Sequence, residues 1–200
     1  GQAGGEGLKA FQALVVQALQ AKGELICFLD DDDLFYADHL EVLVAAWSAQ
    51  PELGAVYGLA YEVRTDIVSQ EPWIYRDLVH SLHFRQPFNR YVLWHHNYLP
   101  IQTVLFRRDL YEQYGGFDPE LDNLEDWNLW VRYSLHHDFL LVPKVTSLYR
   151  VPAQLVGQRR VDLGAVGLRA VHDDLPRRAG EDAAVLECGL LVVYRAQYAT

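Results

Sequence analysis

A strand-like run, Glu24-Leu25-Ile26-Cys27-Phe28-Leu29, delivers the chain directly into four consecutive aspartates, Asp30, Asp31, Asp32 and Asp33. The run has the length and near-continuous apolar character of a short buried strand. Carboxylates crowded at the end of such a strand repel one another, and partial burial adds a desolvation cost. Asp suits turns and helix starts, which accounts for one or two of the four. A hard divalent cation taking oxygen ligands relieves the rest, so the cluster predicts a Mg²⁺ or Mn²⁺ site. Magnesium seldom sits in a cage made only of protein. It bridges one or two carboxylates to a substrate phosphate, and the implied ligand is a phosphorylated small molecule.

The pattern around this cluster is that of an α/β domain. Leu8, Phe11, Leu14, Val15, Ala18 and Leu19 recur at helical spacing and stop at Gly23, just before the strand. Asp38 opens a second helix with Leu40, Leu43, Val44 and Trp47 on one side, closed by Pro51, and Gly54 to Val63 reads as a strand. Alternating helices and strands predict a largely parallel sheet. From Arg64 to Pro100 the periodicity is lost. Trp73, Tyr75, Phe84, Phe88, Tyr91, Trp94 and Tyr98 punctuate that stretch and suit either contact with sugar rings or a satellite core. Ile101 to Phe106 then reads as a strand, Arg108 to Tyr114 as a short helix, and Gly115-Gly116 as a break. A helix opening at Glu125-Asp126 carries Trp127, Trp130, Val131 and Leu135 on one face, followed by a strand from Phe139 to Val142. Residues 151–200 read as a helical C-terminal extension interrupted by Pro176 and Gly180, so the expected division is 1–150 and 151–200.

Composition narrows the partners. A formal net charge of −10 with no Lys/Arg-rich block opposes contact with nucleic-acid phosphates. No apolar run approaches the ~20 residues of a membrane span. The first residues lack the charged and apolar regions of a secretion signal, which predicts a cytoplasmic protein. Cys27 and Cys188 lie far apart and read as reduced packing residues. With no Met and a start at Gly1, the chain is expected to be a processed form or a piece of a longer one.

Glu125 and Asp126 form a second acidic centre. Acids at a helix start are favoured by the macrodipole and by unpaired N–H groups, so capping explains them in part. The neighbouring Gly-Gly pair permits close backbone approach, and Trp127 and Trp130 could wall a pocket.

The segment Gly23-Glu24-Leu25-Ile26-Cys27-Phe28-Leu29-Asp30-Asp31-Asp32-Asp33 resembles the acidic-strand segment of family 2 glycosyltransferases. Three further stretches resemble landmarks of that family in the same order. They are Pro100 to Arg108 followed by Gly115-Gly116-Phe117-Asp118, then Leu124 to Arg132, and Leu148-Tyr149-Arg150. The resemblance covers Lys9 to Arg150 and implies a GT-A fold, with a nucleotide-sugar-binding sheet flanked by helices. It implies transfer of a sugar from a nucleotide-sugar donor to a saccharide, lipid-linked or other hydroxyl acceptor, with inversion and with Mn²⁺ or Mg²⁺. Carried over, Asp30 and Asp32 are the acids of the Asp-x-Asp motif, Asp32 being the direct metal ligand and Asp30 contacting both metal and donor. Asp31 lies near the donor ribose, Glu125 and Trp127 line the substrate site, and Asp126 is the general base.

The chain also departs from that pattern. Relatives begin with a nucleotide-binding strand and loop that nothing before Gly1 supplies, so the N-terminal part of the donor site is expected to be missing. Leu14-Val15 stand where relatives often carry Arg-Asn, and Pro152 where many carry a His. His95, His96, His136 and His137 read as surface or hydrogen-bonded histidines and not as its replacement. Two other readings compete. One is a non-catalytic or incomplete nucleotide-sugar-binding module. The other is a haloacid-dehalogenase-like phosphatase with Asp30 as nucleophile, Asp32 as acid/base and Asp173-Asp174 as the later acidic pair.

Overall fold

The computed structural model describes residues 22–70, 72–118, 121, 124–153 and 190–195. The expected first helix, with Leu14-Val15, lies outside these residues, as do Cys188, Asp173-Asp174 and most of the C-terminal extension.

Among the described residues, seven strands form one sheet: β1 (Leu25–Asp30), β2 (Leu34–Phe35), β3 (Ala55–Gln70), β4 (Trp73–Ser81), β5 (Val104–Arg107), β6 (Phe139–Pro152) and β7 (Leu190–Arg195). Their order is β2-β6-β3-β5-β1-β7, with β4 attached to β3. The helices are α1 (His39–Ser48), α2 (Arg90–Leu93), α3 (Arg108–Tyr114) and α4 (Glu125–Ser134). This is a mixed α/β architecture with a large central sheet and few flanking helices, consistent with the GT-A expectation.

The sheet is mixed where a largely parallel one was expected. β1 and β7 are parallel, as are β3 and β6, but β5 runs antiparallel to both β1 and β3. A one-turn 3₁₀ segment, Ile101–Thr103, turns the chain into β5, which returns toward the start of β1 and ends opposite Leu25. Alternation of helices and strands along a sequence does not fix strand direction. The end of the chain needs a second correction. Leu190–Arg195, expected within the helical extension, form a strand in register with the whole of β1, from Leu25↔Leu190 to Asp30↔Arg195. The run Leu190-Leu191-Val192-Val193-Tyr194 is β-branched and aromatic enough to carry strand character itself.

Every residue of β1 is buried, and its side chains alternate between two cores. Leu25 and Cys27 join Leu43, Trp47, Val56 and Leu105 beneath α1. Ile26 and Phe28 join Phe106, Trp127 and Trp130 beneath α4. The strand is therefore clamped from both sides, and its last residue, Asp30, is delivered to a fixed place at the sheet's rim. His39 completes the α1 side: it is fully buried, with Nδ1 2.9 Å from Thr146 Oγ1, and burial holds its pKa down at about 4.

The stretch from Arg64 to Pro100 is more regular than its sequence suggests. β3 continues to Gln70 and folds back as β4, with register shifts at Arg64/Thr65 and Ile67/Ser69. Those irregularities break the period-two signal on which a strand reading depends. The aromatic residues divide: Tyr98 is in the core, Phe84, Phe88 and Trp94 pack on its margin, and Trp73 and Tyr75 sit half-buried on the hairpin.

Candidate active site

The acidic turn is built by β1 and locked by β6. Asp33 N–H donates to the Asp30 carbonyl (3.2 Å), closing the turn immediately beyond the strand. Asp30 and Asp32 are buried, Asp33 is half-buried and Asp31 is exposed. Burial raises the Asp33 pKa well above the carboxylate range, and the charges of Asp30 and Asp32 push it further in the same direction. Arg150, on β6, is the counterweight. Its backbone N–H donates to Asp33 Oδ1 (3.2 Å), and its guanidinium donates to the Asp32 carbonyl. The same guanidinium lies 3.5 Å from Asp77 Oδ1 and 5.0 Å above the Tyr75 ring, both on β4. One arginine thus ties the acidic turn, β6 and the hairpin together.

The second acidic centre opens α4. The preceding residue, Leu124, takes a left-handed conformation (φ 61°), a rare state for a residue with a branched side chain. Its side chain makes no capping hydrogen bond. Asp126 is half-buried one residue inside the helix; its Oδ1 accepts the Trp127 N–H (2.7 Å) and its Oδ2 accepts a hydrogen bond from Asn97 Nδ2 (3.2 Å). Asn97 is itself oriented, because its Oδ1 accepts the Leu99 N–H (3.1 Å). Burial raises the Asp126 pKa to about 7, aided by the charges of Glu125 and Asp30 and opposed by the bonds from Trp127 and Asn97. The influence of Asp30 on Asp126 brings the two acidic centres into one electrostatic site.

Behind α4, Arg132 clamps the Gly115-Gly116 turn by donating to the carbonyls of Tyr114, Gly115 and Gly116 and to Asn128 Oδ1. Gly115 has φ 81°, and a Cβ on Gly116 would fall 2.2 Å from the Tyr111 ring. The close approach foreseen for the glycine pair is real, and what approaches is Tyr111.

Of the residues singled out in the sequence, Asp30, Asp31, Asp32, Glu125 and Asp126 lie in these two centres. Trp127 does not line a substrate site in this structure. It is fully buried beneath α4 with its indole N–H donating to the Leu93 carbonyl, and Trp130 is likewise buried, donating to the Leu99 carbonyl. Both rings serve the core because the helical face that seats α4 on the sheet is the face they share. His95, His96 and His136 are exposed, and His137 lies 3.4 Å from the Tyr114 hydroxyl, as surface or partnered histidines should. Asn97 was not foreseen. An asparagine between a histidine pair and a tyrosine carries no signal until the fold places it against Asp126.

Among the described residues, no three His, Cys, Asp or Glu side chains form a group able to hold a metal ion alone, and no helix is long and apolar enough to cross a membrane. A surface hollow of about 510 Å³ lies at the opposite end of β6 from Arg150, lined by Phe88, Asp138, Phe139 and Leu141 among others, and none of the residues of the two acidic centres lines it. No curated protein matches the chain. The sequence pattern of the glycosyltransferase-like family 2 matches residues 16–186, a span that holds both acidic centres, the asparagine and the clamping arginines. The chain therefore belongs to the glycosyltransferase-like family 2, whose chemistry is glycosyl transfer between a nucleotide-sugar donor and an acceptor.

Proposed function

We propose that the chain transfers a sugar to an acceptor hydroxyl with inversion at the anomeric carbon, assisted by Mn²⁺ or Mg²⁺. The observation that carries this reading is Asp126: a half-buried carboxylate, oriented by Asn97, with a pKa near 7 and within electrostatic reach of Asp30. A general base works best when its pKa lies near the working pH.

The donor set suits a hard cation. Asp30 and Asp32 offer buried carboxylate oxygens two positions apart, and the pKa of Asp33 responds to both. Among the described residues fewer than three such side chains converge, so a bound cation would share its coordination with substrate phosphate and water, as is usual for magnesium. In this reading Asp32 and Asp30 hold the cation, which when bound neutralises the leaving diphosphate. Asp31, exposed beside them, reaches the donor ribose, and Glu125 positions the acceptor. Asp126 accepts the proton of the attacking hydroxyl on the other side of the sugar carbon, and attack from that face inverts the configuration.

Asp126→Asn preserves shape and removes the proton acceptor; its single amide oxygen keeps one of the two accepted hydrogen bonds, from Trp127 or from Asn97. Transfer from a panel of nucleotide sugars should fall at least ~10²-fold, with nucleoside-diphosphate and Mn²⁺ affinity unchanged and the variant folded by circular dichroism. Near-normal turnover would take the base role from Asp126. Asp32→Ala should instead weaken Mn²⁺-dependent nucleoside-diphosphate binding in calorimetry, and unchanged affinity would refute the metal assignment. The anomeric configuration of the product, read by NMR, tests inversion directly.

A further inference from the structure

The β3–β4 hairpin carries aromatic residues that the acidic chemistry does not use. Trp73, Tyr75 and Asp77 alternate along β4 and so share one face. Tyr75 pairs with Ile67 and Asp77 with Thr65 across the hairpin. That face looks toward the acidic turn, because Arg150 reaches Asp77 and lies over Tyr75 while donating to the Asp32 carbonyl. The Trp73 and Tyr75 rings are nearly parallel, 13° apart, with centroids 6.0 Å from each other. They stack on each other as one aromatic patch, and both remain half-exposed. Trp127 and Trp130, by contrast, are fully buried. The opposite face of the hairpin carries a solvent-exposed Asp66–Arg76 ion pair.

We propose that Trp73 and Tyr75 form a carbohydrate subsite that receives a saccharide acceptor, an assignment that rests on the glycosyl-transfer reading above. A sugar ring presents an apolar C–H face, which packs on an aromatic surface, and a rim of hydroxyls, which needs charged or polar partners. The hairpin supplies both. The stacked pair gives the surface, and Asp77 together with Arg150, which lies over the Tyr75 ring, gives an acceptor and donors. The order from Asp32 through Arg150 and Tyr75 to Trp73 runs outward from the reacting centre, so a saccharide lying along it extends away from the acidic turn. A nucleobase can also stack on such rings, and the test separates the two.

The test uses the whole chain. Wild-type protein is screened against an array of oligosaccharides ending in hexoses, N-acetylhexosamines, deoxyhexoses and uronic acids, and a hit is titrated by calorimetry. Trp73→Ala and Tyr75→Ala should each weaken that glycan by about tenfold or more, and Trp73→Phe should stay within about threefold of wild type. Mn²⁺-dependent binding of uridine and guanosine diphosphates should be unchanged, and Arg76→Ala on the opposite face should have no effect. Folded Ala variants that bind the glycan normally would overturn the proposal, as would a blank array or a loss that falls on the nucleotides alone. If both Ala variants fail to fold, 5-fluorotryptophan-labelled wild-type protein decides: the Trp73 resonance must move on glycan titration, and a stationary resonance overturns the proposal. Asp126→Asn should bind the glycan like wild type. Glycan binding without any transfer would therefore count against the catalytic reading, and transfer to a non-saccharide acceptor with a blank array against the subsite alone.

Discussion

Asp126 holds its proton up to about neutral pH because burial, Glu125 and Asp30 all disfavour its charge. As a base it must be deprotonated, so kcat/KM should rise with pH, reach half its plateau near 7 and flatten above. Asn97 hydrogen-bonds the carboxylate and favours the charged form. Asn97→Ala should therefore shift that half-point upward and lower the plateau, a pH profile that a loss of packing alone would not produce. Asp126 also makes stability fall as pH rises. Its folded pKa lies above the ~3.9 of an unfolded aspartate, so its contribution is fully present below that value and is lost as pH rises through about 7. Urea denaturation across this window should show a falling limb that Asp126→Asn reduces.

At the scale of elements, α4 is held in place by what its outer residues bind as much as by its buried rings. Arg132 donates to three carbonyls around the Gly115-Gly116 turn. Hydrogen bonds from a charged donor contribute ~1.5–3 kcal/mol each, and overlapping ones do not add. Arg132→Ala should cost about 2–3 kcal/mol in chemical denaturation, and Arg132→Lys, which lacks the fork, should recover little of it. A value within experimental error of wild type would mean that the turn holds without the clamp. These elements also show what the sequence could express. α3 was legible to the residue, Arg108–Tyr114, because a helical period and a glycine stop coincide there. β1 and its acidic turn were legible because an apolar run ending in carboxylates has few physical solutions. The hairpin was not, since its register shifts and mixed polarity erase alternation. Neither was the fate of Trp127: a tryptophan beside two acids suits a binding wall, and only packing shows that its face is the one α4 buries. Asn97 and the Arg150 contacts come from chain segments far from the acids they touch, and long-range proximity of that kind is invisible in local pattern.

For the whole molecule, the titrations of His39 and Asp126 oppose each other. His39 lies between the sheet and α1 with a pKa depressed to about 4 by burial. Its contribution is fully present above the unfolded value near 6.5 and is lost as pH falls from there toward 4. Stability should thus decline on the acid side, and His39→Gln, able to bond Thr146 without titrating, should flatten that limb. Unaltered slopes would place the acid sensitivity elsewhere. Arg150 gives the molecule a further property. A single guanidinium bonds the carbonyl of the acidic turn at one end and the hairpin's Asp77 and Tyr75 at the other, so neither region can shift without disturbing its grip on the other. Occupancy at the two regions then enters one thermodynamic cycle. If filling the acidic turn tightens the hairpin by some factor, filling the hairpin tightens the acidic turn by that same factor, and the order in which two ligands arrive becomes a matter of rates while their mutual reinforcement does not.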